Sequence, residues 1–266
     1  MITSLTENNI NKLLLTIIDE LGYQEHQTKD SLDEKYKNVG TGNYTKYAEE
    51  LDNIQDFYLG KKNGYAWCDS FVDWCFVKTF GVESAQRMMY QPKNKHGATC
   101  QNSAQWYKDN DAFTTFPETG AQIFFYRGED KKEIGHTGIV LSCTNEHVFT
   151  IEGNTRSDLS VHFGSGGNVT LKYYNINDTS IAGYGIPDFE YEPIQDVTVT
   201  LPYLRKGDKN EAVISAQVLL NKFGYGLEVD GSFGGKTQTA VKDFQENYCK
   251  EVTGNIDADT WSELLL

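Results

Sequence analysis

Apolar residues recur at helical spacing over residues 10–21, and Gly22 supplies a stop just beyond them. The pattern predicts a helix there, a second over 44–51, a third over 68–80 ended by Gly81, and a shorter one over 103–110. The third carries the strongest stripe, with Phe71, Val72, Trp74, Cys75 and Val77. Beyond residue 120 the chain reads as strands, over 121–126, 136–143, 147–152, 169–174 and 181–186, separated by turn-rich stretches such as RGEDKKE and FGSGGN. A helical half followed by an antiparallel strand half is an α+β layout.

Three of the five prolines (Pro187, Pro193 and Pro202) fall within residues 187–203, which makes this segment the natural linker. Past it the pattern is helical again, over 213–223, 237–248 and 259–265, with glycine-rich connectors. That is a small all-α unit of about 65 residues, large enough to fold alone. The expected division is a first domain over 1–189, a linker over 190–202 and a three-helix domain over 203–266.

Charge and composition narrow the function classes. A net charge of −14, most of it before residue 201, argues against nucleic acid and against adhesion to anionic membranes, because both need clustered Lys and Arg. The longest apolar run, residues 13–18, is far too short for a membrane span. The first fifteen residues hold one lysine and no small-residue cleavage site, so synthesis in a cytoplasm without a signal peptide is expected. Five cysteines without a CxxC pair suggest neither a zinc ribbon nor a disulfide framework. Cys68 and Cys75, seven residues apart on one helix, sit about 10 Å apart along its axis, too far for a disulfide. His96 and Cys100 have helix-like ligand spacing, but their polar, Gly-containing segment offers no further ligands for zinc.

The sharpest local signal is Gly64-Tyr65-Ala66-Trp67-Cys68-Asp69-Ser70-Phe71, a cysteine among aromatics where a helix begins. The N–H groups and partial positive charge of a helix start stabilise a thiolate, the form that attacks an acyl carbon. Against that stands the common fate of a free cysteine as a small buried hydrophobe. Such a nucleophile needs an imidazole and a group to orient it. His136 opens one predicted strand, and the next ends in Ile151-Glu152-Gly153-Asn154. If the two strands form a hairpin turning near Asn145, paired residue numbers sum to about 290. Glu152 and Asn154 then bracket the region opposite His136 and share its face, since side chains alternate with period two. Either could hold Nδ1–H and leave Nε2 for the thiol.

YAWCDSFVDWCF, GHTGIV and TIEGN together resemble the CHAP amidohydrolase/peptidase family of papain-like cysteine hydrolases. The resemblance implies a papain-like fold, with N-terminal helices packed on an antiparallel sheet, and assigns Cys68, His136, Glu152 and Asn154 as the catalytic set. PETGAQIFFY resembles the family's lead-in to the histidine strand, with Ala121 where an Asp is common. GYQEH and GTGNYTKYAEELD resemble the N-terminal part of phage-type members. Some members hold calcium, and Asp52, Asp56 and Asp69 approach the nucleophile loop. The alternating oxygen pattern of a calcium loop is missing, so no cofactor is expected and calcium stays an open alternative.

The last 66 residues resemble a second family, the three-helix peptidoglycan-binding domain, through LRKGD, VDGSFG, Thr237, Phe244-Gln245 and Thr260-Trp261. The combination implies a peptidoglycan amidase or endopeptidase of the phage endolysin type, with bacterial peptidoglycan as partner and release through a holin-like pore. The alternatives are an inactive wall-binding protein, against which the intact quartet counts, and a host autolysin or antibacterial toxin with the same chemistry.

Overall fold

Helix α1 (Ser4–Asp19) begins a turn and a half before the apolar run, and Gly22, at φ 80°, reverses the chain after it. In the computed structural model, residues 4–93, 97–128, 130–156, 167–191 and 201–265 are described. Thr45 caps α2 (Lys46–Asp52), its side chain accepting from the amide of Ala48. Helix α3 (Cys68–Phe80) takes the predicted bounds and is buried on nearly every face. A helix apolar all round belongs in the interior, and α3 packs against α1, α2, the sheet and two further helices. Those are α4 (Val82–Met88), which starts directly after Gly81 without an apolar pattern of its own, and α5 (Cys100–Asp109).

The sheet has six antiparallel strands: β1 (Phe113–Thr114), β2 (Gln122–Arg127), β3 (Glu133–Cys143), β4 (His147–Thr155), β5 (Asn168–Asn175) and β6 (Ile181–Gly185), in the order β1-β6-β2-β3-β4-β5. The β3–β4 hairpin pairs Ile139 with Ile151 and Val140 with Thr150, the register expected from the sequence. One face carries Ile139, Leu141, Ile151 and Leu171 into the core shared with the helices, while Ile123, Phe125, Val140 and Val148 form a smaller cluster on the other. The chain is therefore α+β, with N-terminal helices against an antiparallel sheet.

Most of the expected linker lies in residues 192–200, outside the described residues. Beyond it stand α6 (Glu211–Lys222), α7 (Gly235–Tyr248) and α8 (Ala258–Leu265), packed around Phe233, Phe244 and Trp261, all at most 1% exposed. These aromatics are core, as the pattern suggests. Two glutamines repeat one device: Gln217 accepts from the amides of Asp230 and Gly231, and Gln245 from those of Thr253 and Gly254. Each thereby ties a glycine turn at positive φ to a helix. The small unit rests on the first domain, α6 against α1 and β5 and α8 against α1.

Candidate active site

Cys68 is the first residue of α3, and the residue before it, Trp67, makes no side-chain cap. The first amides of α3 are thus left without a side-chain acceptor from the cap, and that of Asp69 helps to lower the pKa of the Cys68 thiol. Trp67 is fully buried and donates from Nε1 to Glu25 Oε2 at 2.8 Å, which fixes the segment leading into the helix.

Across from the helix start lies the end of the β3–β4 hairpin. Gly153 lets β4 come close to α3, since a Cβ there would sit 2.7 Å from both Phe71 and Trp67. His136 faces Cys68, each shifting the other's proton affinity, and its Nε2 lies 2.8 Å from Glu152 Oε2. Glu152 is fully buried, and its other oxygen accepts from Thr150 Oγ1 at 2.6 Å and Tyr174 OH at 2.9 Å. Phe125 packs on the imidazole with ring centroids 5.7 Å apart. The ring is thus held at one nitrogen and along one face.

The expectation that Nδ1 is held and Nε2 left for the thiol is reversed: Nε2 is engaged, so Nδ1 is the nitrogen left for Cys68. The register explains it. Continuing the pairing sum of 290 places Glu152 opposite Gly138, diagonal to His136. A diagonal pair is spanned by the far tip of the ring and the long arm of a glutamate. Gly138 makes room for that arm, because a Cβ there would lie 2.5 Å from Glu152 Cγ.

Asn154 does not share this arrangement. The β4–β5 register shifts between Glu152 and Thr155, and Asn154 adopts φ 56°, which breaks the period-two alternation. Its Oδ1 borders Gly167, where Glu25 Oε2 also approaches. Of the two candidate partners of the imidazole, Glu152 is the one in hydrogen-bond contact.

The electrostatics favour an ion pair. A hydrogen bond from Cys100 outweighs burial and, with His136 and the Asp69 amide, holds the Cys68 thiol well below its ordinary range. Burial opposes the charge on His136, but hydrogen bonds to Cys68 and Glu152 and their negative charge push its pKa up to about 10. Both shifts act in the direction that favours a thiolate–imidazolium pair over the neutral pair.

Cys100 was not anticipated at this site. It is the first residue of α5, capped by Thr99, and its Sγ lies 3.5 Å from that of Cys68. The usable signal was Thr99, a good N-cap four residues before the predicted start of that helix. Two carboxylates of α3 lie behind the site. Asp69 accepts from Ser103 and Gln122, and Asp73 from Tyr58 OH at 2.7 Å and from Gln91. Burial raises both, Asp73 to about 7. Cys75, two turns along α3, is fully buried, and burial raises its pKa, as befits a core residue.

Among the described residues, no three His, Cys, Asp or Glu side chains are grouped so as to hold a metal ion. Of the acidic residues near the nucleophile loop, Asp52 accepts from the amides of Lys62 and Asn63, and Asp69 accepts as described above. His96 and His162 lie outside the described residues. Among the described residues, no helix is long and apolar enough to cross a membrane.

Residues 60–154 match the CHAP domain family, a span that includes Cys68, Cys100, His136, Glu152 and Asn154. Residues 209–264 match the family described as "Putative peptidoglycan binding domain". Among solved structures, a peptidoglycan-binding protein from Clostridioides difficile in complex with glutamine hydroxamate is similar at 21% identity, over 62% of this chain and 87% of that one, with a TM-score of 0.26.

Proposed function

Because the chain joins a CHAP domain to a C-terminal peptidoglycan-binding domain, we propose that it hydrolyses amide bonds of bacterial peptidoglycan with Cys68 as nucleophile. The observation that carries this reading is Cys68 at the start of α3, facing an imidazole whose far nitrogen a buried glutamate holds at 2.8 Å. The thiolate attacks an amide carbonyl of the peptide stem or cross-bridge. Backbone amides at the start of α3 face the developing oxyanion. His136, already protonated, gives its proton to the leaving amine and then takes one from the water that cleaves the thioester. Glu152 keeps the ring oriented and its charge compensated. Asn154 acts as a positioning residue, setting the bulge that follows Glu152.

The small domain binds the polymer and raises the local concentration of scissile bonds. The division at residues 190–202 follows the proline-rich segment. Assignment to phage-type endolysins, released through a pore, rests on the similarity of GYQEH and GTGNYTKYAEELD to those members. Mass spectrometry of fragments released from purified walls tests the reaction. New N-terminal L-Ala with intact MurNAc identifies an amidase, new termini within the stem or bridge identify an endopeptidase, and new reducing sugar ends would refute amide hydrolysis.

A further inference from the structure

The mechanism above uses Cys68 and leaves Cys100 without a chemical step, although their sulfurs lie 3.5 Å apart. Both thiols open a helix, α3 and α5, and both residues are 6% exposed. A disulfide needs about 2.05 Å between sulfurs, so closing the pair takes a movement of about 1.5 Å. Elsewhere, Cys75 lies two turns along α3, Cys143 contacts the Pro117 carbonyl, and Cys249 follows α7.

We infer that Cys68 and Cys100 form a redox pair, in which a peroxide oxidises Cys68 and Cys100 resolves the product to a disulfide. The Cys68 thiolate attacks one oxygen of hydrogen peroxide and the O–O bond breaks. Cys68 becomes a sulfenic acid, and the departing hydroxide takes the His136 proton to leave as water. The Cys100 thiol then attacks the Cys68 sulfur, the S–O bond breaks, and the hydroxyl departs with the Cys100 proton as a second water. The two sulfurs together lose two electrons and the peroxide gains them. The disulfide removes the nucleophile reversibly. Without a neighbour at this distance, the sulfenic acid would be open to further oxidation to the sulfinic acid, which reductant does not restore. The consequence for activity rests on Cys68 being the nucleophile; the pairing itself does not.

The test treats the full-length protein with hydrogen peroxide and maps its peptides without reduction. The expected result is a Cys68–Cys100 cross-link, a fall in free thiols from five to three, and lysis of purified walls that is lost and then returned by dithiothreitol. Cys100→Ala and Cys100→Ser should instead accumulate Cys68 sulfinic acid and stay inactive after reduction. Wild-type protein carrying Cys68 sulfinic acid with Cys100 still free would overturn the pairing, and so would recovery of the Cys100 variants equal to wild type. If the cross-link forms but the reduced protein never cleaves walls, the pairing stands and the proposed hydrolysis falls.

Discussion

Glu152→Gln isolates the charge behind the imidazole while keeping the shape of the side chain. Glu152 is fully buried, with one oxygen 2.8 Å from His136 Nε2 and the other bonded by two hydroxyls. The glutamine can still accept from Nε2–H, and the Thr150 and Tyr174 hydroxyls can rotate to accept from its amide. The fold should therefore survive. A hydrogen bond to a charged group contributes about 1.5–3 kcal/mol against about 0.5–1.5 kcal/mol for a neutral one. The change thus removes about 1–2 kcal/mol from the imidazolium, which corresponds to a roughly five- to thirtyfold loss of turnover. It should also bring the His136 titration down from about 10 by about one pH unit. Rates of wall clearing measured across pH, beside circular dichroism for the fold, read both effects. Wild-type turnover with an unmoved alkaline limb would refute the role given to Glu152.

Three further outcomes follow from the same geometry. Gly138→Ala would place a Cβ 2.5 Å from Glu152 Cγ and push the carboxylate off His136. Overpacking of this kind costs about 1–3 kcal/mol, and wall clearing should fall with it; an active, fully stable variant would show that Glu152 can lie elsewhere. Trp67→Phe removes the bond to the buried Glu25 and should lower unfolding stability in urea by about 1–3 kcal/mol, with no change meaning that the bond contributes nothing. In the pH profile, activity should already be full at neutral pH and fall as pH rises through about 10, where His136 loses its proton. A rate that keeps climbing toward the ordinary thiol value of 9.0 would mean that Cys68 starts as a thiol.

Local signals made much of this legible. Helix α3 matches its predicted bounds because its start among aromatics and its end at Gly81 are both local, and the β3–β4 register follows from the turn position alone. What escaped depends on contacts distant in sequence or on very short elements. Helix α4 is short and lacks an apolar stripe of its own, and β1 has only two residues, too few to show a period. Cys100 is 32 positions from Cys68, and only the packing of α5 on α3 brings the sulfurs together. The nitrogen that Glu152 takes depends on the diagonal geometry of the pair, which a register alone does not reveal. Asn154 leaves the expected arrangement because a bulge interrupts the alternation on which that expectation rested. Glu25 reaches Trp67 from 42 positions away, so nothing near either residue announces the contact.

The identity of the nucleophile is tested most directly by clearing of purified peptidoglycan with Cys68→Ala and Cys75→Ala assayed side by side, each checked for folding by circular dichroism. Both cysteines belong to α3 and both are buried, but only Cys68 stands at the helix start against His136. Folded Cys68→Ala with no clearing, beside Cys75→Ala that keeps most of the wild-type rate, is the predicted result. Clearing by Cys68→Ala at near the wild-type rate, or a folded but inactive Cys75→Ala, would contradict the assignment.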